Sequence, residues 1–479
     1  MTRETHNSLR PLCVDLDGTL IASDVLFESV ILLLKKNFLY IFLLPFWAIR
    51  GAEYLKTKLA DRVRPNPETL PYREEILSYL REEKARGREL VLVTASIQSV
   101  ADSIAGYLAI FDSVYATTPG NNLKGQRKKE LLEEKFGSKN FDYIGDSNID
   151  IPIWKAAARA MIVNPGGNML IDVQNCTQVE KVFHFPKNKL LTILREMRIY
   201  QWVKNVLIFL PLFLAHQWSV YLAIEIVIAF IAYSLCASSI YIINDLMDLE
   251  TDRRHPRKRK RPIASGELTI PVATALAPGL LALGFALSIW LLPLYFTYIL
   301  IIYVILTSAY SFWLKKIAIA DLLVLASLYT LRLIAGAVAV DVMISPWLLA
   351  FSMFIFLSLA IVKRYTELMI MKRENKAIGA GRGYEIDDLS LLRSIGPASG
   401  YLAALVFAFY VNSTEVTILY KHPKLLWLVV PLMLYWITRI WLLAHRDRMH
   451  DDPIVFTVKD KTSYAIGILI AILVIGAAI

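Results

Sequence analysis

The sequence predicts a multidomain membrane protein. An N-terminal α/β domain on a parallel sheet with a helical cap covers residues 1–185, and an all-α bundle of about nine transmembrane helices covers 186–479. Three observations predict this. Over the first 185 residues short apolar runs alternate with helical patterns, and polar residues gather where the runs end. Beyond residue 190, apolar stretches approaching the ~20 residues of a bilayer crossing follow one another. The hydrophobic fraction of the whole chain, 56%, is high for a soluble protein.

A net charge of +10 suits either nucleic acid or an anionic membrane surface, and the dense apolar spans decide for the membrane and against nucleic acid. Cys13, Cys176 and Cys236 are widely spaced, which indicates neither a disulfide framework nor a zinc site. Met1 to Arg10 is polar with no signal peptide, so the head is expected on the cytoplasmic side.

The first strand is read at Pro11 to Val14 and ends in Asp15-Leu16-Asp17-Gly18-Thr19. A second, Glu89 to Val93, ends on Thr94. A third, Phe141 to Ile144, ends in Gly145-Asp146-Ser147-Asn148-Ile149-Asp150. Helical patterns at 72–86 and 128–136 separate them, so the polar ends share one edge of a parallel sheet, where open α/β sheets bind ligands. Each residue there has chemistry available. Asp15 can attack phosphorus as a carboxylate nucleophile. Asp17 can protonate the leaving alcohol. Asp146 and Asp150 can hold Mg²⁺ together with Asp15. Thr94 and Lys128 can bind phosphoryl oxygens, with Lys124 as the second candidate for the lysine. A lone Asp-x-Asp in a turn is usually structural, but four such motifs in order are specific. Together they resemble the haloacid dehalogenase-like (HAD) phosphatase superfamily, which implies a Rossmann-like fold and covers most of residues 9–165.

Residues 23–71 would form the cap. Its middle, Val30 to Ile49, is unusually apolar, and Lys35-Lys36-Asn37 interrupts it. The reading is an interfacial helical pair resting on the bilayer rather than a span, with an ordinary buried cap helix as the plainer alternative.

Pro186 to Lys189 reads as a linker, and Arg195 to Asn205 as an amphipathic lead-in. Spans are expected near 204–217, 220–243, 271–291, 294–313, 319–340, 346–362, 396–413, 424–443 and 462–479. With the head inside, Lys and Arg crowd the inner loops 244–270, 314–318, 363–395 and 444–461. The outer loops hold only Lys421 and Lys424, a positive-inside asymmetry that implies an integral bacterial inner-membrane protein. Gly379 to Gly383 follows no strand and reads as a flexible loop.

The first long span closes on Asn244-Asp245-Leu246-Met247-Asp248-Leu249-Glu250-Thr251-Asp252, and a run of Lys and Arg through Arg261 follows. On one continuous helix Asp245, Asp248 and Asp252 would share a face, and three like charges there call for a cation between them. A basic stop-transfer loop would need only the cations and leaves the aspartate spacing unexplained. The pattern Asn-Asp-x-x-Asp-x-x-x-Asp, then Arg-x-His-Pro-x-Lys-x-x-Arg-Pro-x-x-x-Gly, resembles the first motif of the UbiA superfamily of intramembrane prenyltransferases. Its branch nearest in pattern is similar to decaprenyl-phosphate phosphoribosyltransferase, with the likeness running from about Leu190 to the C-terminus.

Tyr310-Ser311-x-x-Leu314-Lys315, Asp321 and Arg332 resemble the same branch. A second paired-aspartate run, the mark of ordinary aromatic prenyltransferases, is missing, since Asp387-Asp388 falls in a polar loop. The resemblance implies that Mg²⁺ on Asp245, Asp248 and Asp252, oriented by Asn244, holds the diphosphate of phosphoribosyl diphosphate. A polyprenyl phosphate or other isoprenoid lipid would be the acceptor. Lys204, Lys315, Arg253, Lys258 and Arg261 would neutralise phosphates, and Gln201 and Asn205 would bind ribose or phosphate oxygens. Asp321 and Arg332, three turns apart, would face one cavity. The alternatives are a prenyltransferase acting on an aromatic acceptor and a membrane scaffold tethering a phosphatase.

Overall fold

The computed structural model describes residues 9–118, 120–185, 188–215, 219–373, 383–449 and 453–479. The linker positions 186–187 and the loop positions 379–382 lie outside them. The chain divides into two compact units, Met1–Met197 with Ile242–Leu276, and Arg198–Tyr241 with Ala277–Ile479. The polar segment after the first long span is thus grouped with the head, whereas the sequence reading places it in the bundle.

In the first unit six parallel strands lie in the order β3-β2-β1-β4-β5-β6. They are β1 (Leu12–Val14), β2 (Leu90–Ile97), β3 (Ser113–Thr117), β4 (Asp142–Gly145), β5 (Arg159–Val163) and β6 (Gln178–Phe183). Strand β1 is central and wholly buried, with Leu12 opposite Leu90 on one side and Asp142 on the other. Side chains alternate across the sheet: Leu12 and Val14 join the core with Leu90, Leu92 and Ile144, while Cys13 faces Val91, Val93 and Tyr143. Helices cover both faces, which is why these strands read as continuous apolar runs. The strand order reverses at β1, so a crevice opens past the carboxyl ends of β1 and β4.

The cap inserted after β1 is α1 (Val25–Lys36), a 3₁₀ turn at Phe38–Phe42, α2 (Leu44–Ile49) and α3 (Ala52–Ala60). Asp24 caps α1 by accepting from the Leu26 N–H at 2.8 Å. Leu33, Trp47 and Leu59 form the cap's small core, and the Arg62 guanidinium lies 4.9 Å above the Trp47 ring.

The segment 242–276 packs on this cap. Gly266 has φ +75°, and a Cβ there would stand 2.5 Å from the Ala22 carbonyl, so only glycine fits. Arg253 forks onto Glu28 of α1 at 2.7 and 3.0 Å, and its Nε donates to the Ala264 carbonyl at 2.9 Å. Both side chains are buried. Breaking a buried pair strands the surviving charge, at about 3–5 kcal/mol. Glu28→Ala is therefore expected to lower the melting temperature of the first unit and expose segment 242–276 to protease. An unchanged melting curve would show that the pair contributes nothing.

In the second unit and its connecting helices, eight helices among the described residues are long and apolar enough to cross a membrane, running from Val220–Met247 to Lys461–Ala478. The ninth expected span is instead a shorter apolar stretch, Ile199–Leu214. Its first part, Ile199–Phe209, is a 3₁₀ helix that carries the polar residues Gln201, Lys204 and Asn205. The helix Ala320–Ala339 approaches it so closely that a Cβ on Gly336 would stand 2.0 Å from the Ile208 carbonyl.

Candidate active sites

At the carboxyl end of the sheet, the Asp15 N–H donates to the Ile144 carbonyl at 3.0 Å and fixes the strand end. Gly18, at φ +76°, lets the turn pass Asp146, whose carboxylate would stand 2.1 Å from any Cβ there. Ser147 and Asp150 form a reciprocal cap that holds the loop after β4. These turns bring Asp15, Asp146 and Asp150 together, with one oxygen from each within 4.8 Å of the others. Lys128, fully enclosed, reaches in from the helix Gln126–Phe136 and donates to Asp15 at 2.7 Å and to the Tyr143 hydroxyl at 3.2 Å. Tyr143 in turn donates to Asp150 at 3.1 Å.

Three carboxylates this close repel one another. Burial, and then the charges of Asp15 and Asp150, push Asp146 up to about 7. Burial, and then Asp15, push Asp150 up to about 6 against the pull of Lys128. Burial alone would lower Lys128, but Asp15 and Asp150 outweigh it and hold the ammonium charged. An all-oxygen donor set under mutual repulsion fits a hard divalent cation. A carboxyl raised in this way favours the fold only while protonated, so without metal that stability is lost as pH rises through about 6 to 7. Mg²⁺ must displace those protons, so its stabilisation grows through the same window. Thermal melts at one fixed Mg²⁺ concentration, 100 times the Kd found above pH 8, are expected to show about 2.7 kcal/mol above pH 8 and much less near pH 5.5. Equal shifts at both pH values would contradict this.

Asp17 is placed apart from that trio. It accepts from the Val25 N–H at 2.8 Å and from the Ser96 hydroxyl at 2.9 Å. Burial, and then the charge of Asp24, push it up to about 7, a suitable value for giving and taking a proton near neutrality. Thr94 is fully buried, with its hydroxyl 3.5 Å from Asp17 and accepting from the Ser96 N–H at 3.0 Å. From this strand the cavity is lined by Ala95 and by Ser96, two residues beyond Thr94. The cavity, about 600 Å³, is also lined by Lys56 of α3, by Arg73, by Lys124, and by Thr269 and Ile270. The sequence reading missed Ser96, Lys56 and Arg73. Alternation along β2 could have found Ser96, whereas Lys56 and Arg73 carry no local signal.

At the second cluster the helix Val220–Met247 stops one residue short of Asp248, and a short helix Leu249–Arg254 follows. The single helical face expected for the three aspartates is therefore kinked at Asp248 (φ −96°, ψ 12°), although hydrogen bonds still pass from Asp248 N–H to Asn244 and from Asp252 N–H to Asp248. Asp245 and Asp252 are buried and meet on one Arg261 nitrogen. Asp252 keeps a buried oxygen with no hydrogen-bond donor, and the Lys258 ammonium lies 3.6 Å from it. Burial pushes Asp252 up despite Arg261 and Lys258. That oxygen fits a cation. Asp248 and Asn244 are only half-buried. Arg253 has its nitrogens on Glu28 and Ala264, so the structure engages it within the protein.

In the second unit, Asn205 accepts from Arg332 Nε at 2.8 Å and donates to Ser234 at 2.9 Å. Tyr233, Tyr303 and Tyr329 ring the guanidinium. Asp321 pairs with Arg364 and accepts from the Tyr384 hydroxyl. The expectation that Asp321 and Arg332 face one cavity is corrected accordingly: three turns separate them along the axis, and each is satisfied by its own partners. Gln201 donates to Tyr200 at 3.2 Å, and Lys204 and Lys315 are half-buried.

Comparison with known proteins gives two family matches. The UbiA prenyltransferase family matches residues 205–466, and haloacid dehalogenase-like hydrolase matches residues 30–155. The second match starts beyond β1, so Asp15 and Asp17 enter the site through their geometry. The uncharacterized protein y4nM of Sinorhizobium fredii is 40% identical over 466 residues, 96% of this chain and 90% of its own. Nodulation protein NoeC of Azorhizobium caulinodans is 34% identical over 276 residues, 57% of this chain and 89% of its own. Decaprenyl-phosphate phosphoribosyltransferase of Mycolicibacterium smegmatis is 38% identical over 235 residues, 48% of this chain and 73% of its own.

Proposed function

The chain belongs to the UbiA prenyltransferase family and carries a haloacid dehalogenase-like hydrolase domain at its N-terminus, and from that premise we propose a bifunctional membrane enzyme. Its body transfers phosphoribosyl from phosphoribosyl diphosphate to a polyprenyl phosphate at the cytoplasmic face. Its head removes a phosphate from the lipid-linked product, the 5-phosphate of the new ribose. The observation that carries the transferase reading is the acidic cluster of Asp245 and Asp252 on Arg261, the one of its kind among the described residues beyond the head's own trio, set among the cations of segment 242–276. One such cluster suits a diphosphate donor facing a phosphate acceptor, and the similarity to a phosphoribosyltransferase supports it.

In the transfer, a lipid-phosphate oxygen attacks C1 of the ribose, the C1–O bond breaks, and pyrophosphate leaves. Arg261 and Lys258 are placed to take up the charge of the departing diphosphate. Asp245 and Asp252 would hold Mg²⁺, which neutralises diphosphate oxygens when bound.

In the head, Asp15 attacks phosphorus and the ester P–O bond breaks. Asp17 gives its proton to the leaving alcohol, then takes one from the water that hydrolyses the aspartyl-phosphate. Lys128 pairs with Asp15 and holds a phosphoryl oxygen. Asp15, Asp146 and Asp150 would hold Mg²⁺, which offsets phosphate charge when bound.

Membranes containing the full chain are to be incubated with labelled phosphoribosyl diphosphate and, separately, labelled prenyl diphosphate. Label is expected in lipid from the first donor only. Label from the second alone would replace this reading with an aromatic prenyltransferase, and label from neither would favour a scaffold for the head.

A further inference from the structure

We propose that the outer face of the cap, Phe38 to Ile49, is seated in an anionic lipid leaflet and holds the phosphatase mouth at the bilayer surface. This stands whatever the body transfers. Phe38, Leu39, Ile41, Phe42, Leu43, Phe46 and Ile49 are all exposed, with Phe42 at 68% and Ile49 at 83%. Trp47 points the other way and, with Leu33 and Leu59, fills the cap's core, so the outer strip is surplus to folding. Soluble surfaces rarely carry an apolar patch this dense. The strip is rimmed by exposed Lys35, Lys36 and Arg50, and no acidic residue occurs from Ser29 to Ala52. Aromatic and aliphatic side chains with a cationic rim match an anionic leaflet, entering it by ~5–10 Å.

Connectivity within the first unit places this strip near lipid. Glu28 of α1 is clamped by Arg253, which lies in the short helix directly after the membrane helix Val220–Met247. From Glu28 to Lys36 the helix rises only ~12 Å. The next membrane helix starts at Ile270, and Thr269 and Ile270 line the phosphatase cavity. The cavity mouth therefore lies within reach of the interface, where a phosphomonoester carried on a membrane amphiphile can enter it.

The test uses the full chain in phosphatidylcholine vesicles with and without phosphatidylglycerol. An environment-sensitive fluorophore on Phe42→Cys, in a Cys176→Ser background, is expected to emit blue-shifted, to be quenched by brominated acyl chains, and to be shielded from iodide. The same label at Glu134→Cys, on an exposed helix of the head, should respond only to iodide. Lys35→Glu/Lys36→Glu should raise iodide access at position 42 in anionic vesicles and leave it unchanged in neutral ones. Phe42→Asp/Phe46→Asp is expected to keep hydrolysis of a soluble aryl phosphate, which shows an intact cavity, and to lose most hydrolysis of a long-chain alkyl phosphate in vesicles. A position-42 label open to iodide, or shielded from both quenchers as a protein partner would shield it, overturns the proposal. So does a double variant that hydrolyses the alkyl phosphate as well as the parent.

Discussion

Asp15→Asn is expected to reduce phosphate release by ~10⁴-fold or more while transfer to lipid continues, because the substitution removes the proposed nucleophile. The residue sits at the end of a wholly buried strand with its backbone pinned to Ile144, so the isosteric amide leaves the strand end in place. The amide is neutral and does not attack phosphorus. It also takes from Lys128 the carboxylate at 2.7 Å, leaving that enclosed ammonium with Tyr143 and the charge of Asp150. Some loss of stability should accompany the loss of rate, and Asp17→Asn separates the two effects. The hydrogen bonds of Asp17 run to Val25, Ser96 and Thr94 rather than to that cluster, and in the proposed mechanism it handles both protons, so its loss should cost ~10²–10⁴-fold. A phosphoenzyme trapped at acid pH should form in the parent, persist longer after Asp17→Asn, and vanish after Asp15→Asn. Phosphate release surviving in Asp15→Asn would move the chemistry elsewhere.

What could be read from the residues, and what could not, follows from the range of the forces involved. Strands β1, β2 and β4 were legible because a doubly covered parallel strand must be apolar throughout, and the polar residue ending each run marks the crevice. Arg253 was misleading: in a run of cations after an acidic motif it reads as a phosphate ligand, whereas the fold gives it to Glu28, 225 positions away. Asp321 carried the same ambiguity. Its helix face pointed toward Arg332, but Arg364 and Tyr384, from elements far along the chain, satisfy it first. Buried ions are settled by desolvation, which depends on the assembled packing rather than on spacing along a helix. The kink at Asp248 was hidden for a related reason, since helical spacing continues through it and only the backbone angles depart.

The kink bears on the second large effect, which concerns Asp252. Arg261 bonds Asp245 and Asp252 at once, so one guanidinium screens two buried carboxylates without any metal. Were Mg²⁺ held by Asp245 and Asp252, it would supply that screening and leave Arg261 for an oxygen of the diphosphate. Asp252→Asn removes one ligand and lets Arg261 settle on Asp245 alone, which blocks the exchange. Metal neutralisation of a departing diphosphate contributes several kcal/mol, so transfer is expected to fall by about 10³-fold and to lose its dependence on Mg²⁺ concentration. Arg261→Ala should act differently. It removes the shared guanidinium but keeps both carboxylates, with Lys258 still beside Asp252, so the Mg²⁺ dependence should survive while the apparent KM for the phosphoribosyl donor rises. Phosphate release by the head from a soluble ester provides the internal reference in both variants. If Asp252→Asn and Arg261→Ala weaken transfer to the same degree with the Mg²⁺ response intact in both, the aspartates serve only to hold the arginine, and the metal, if it acts at all, binds elsewhere.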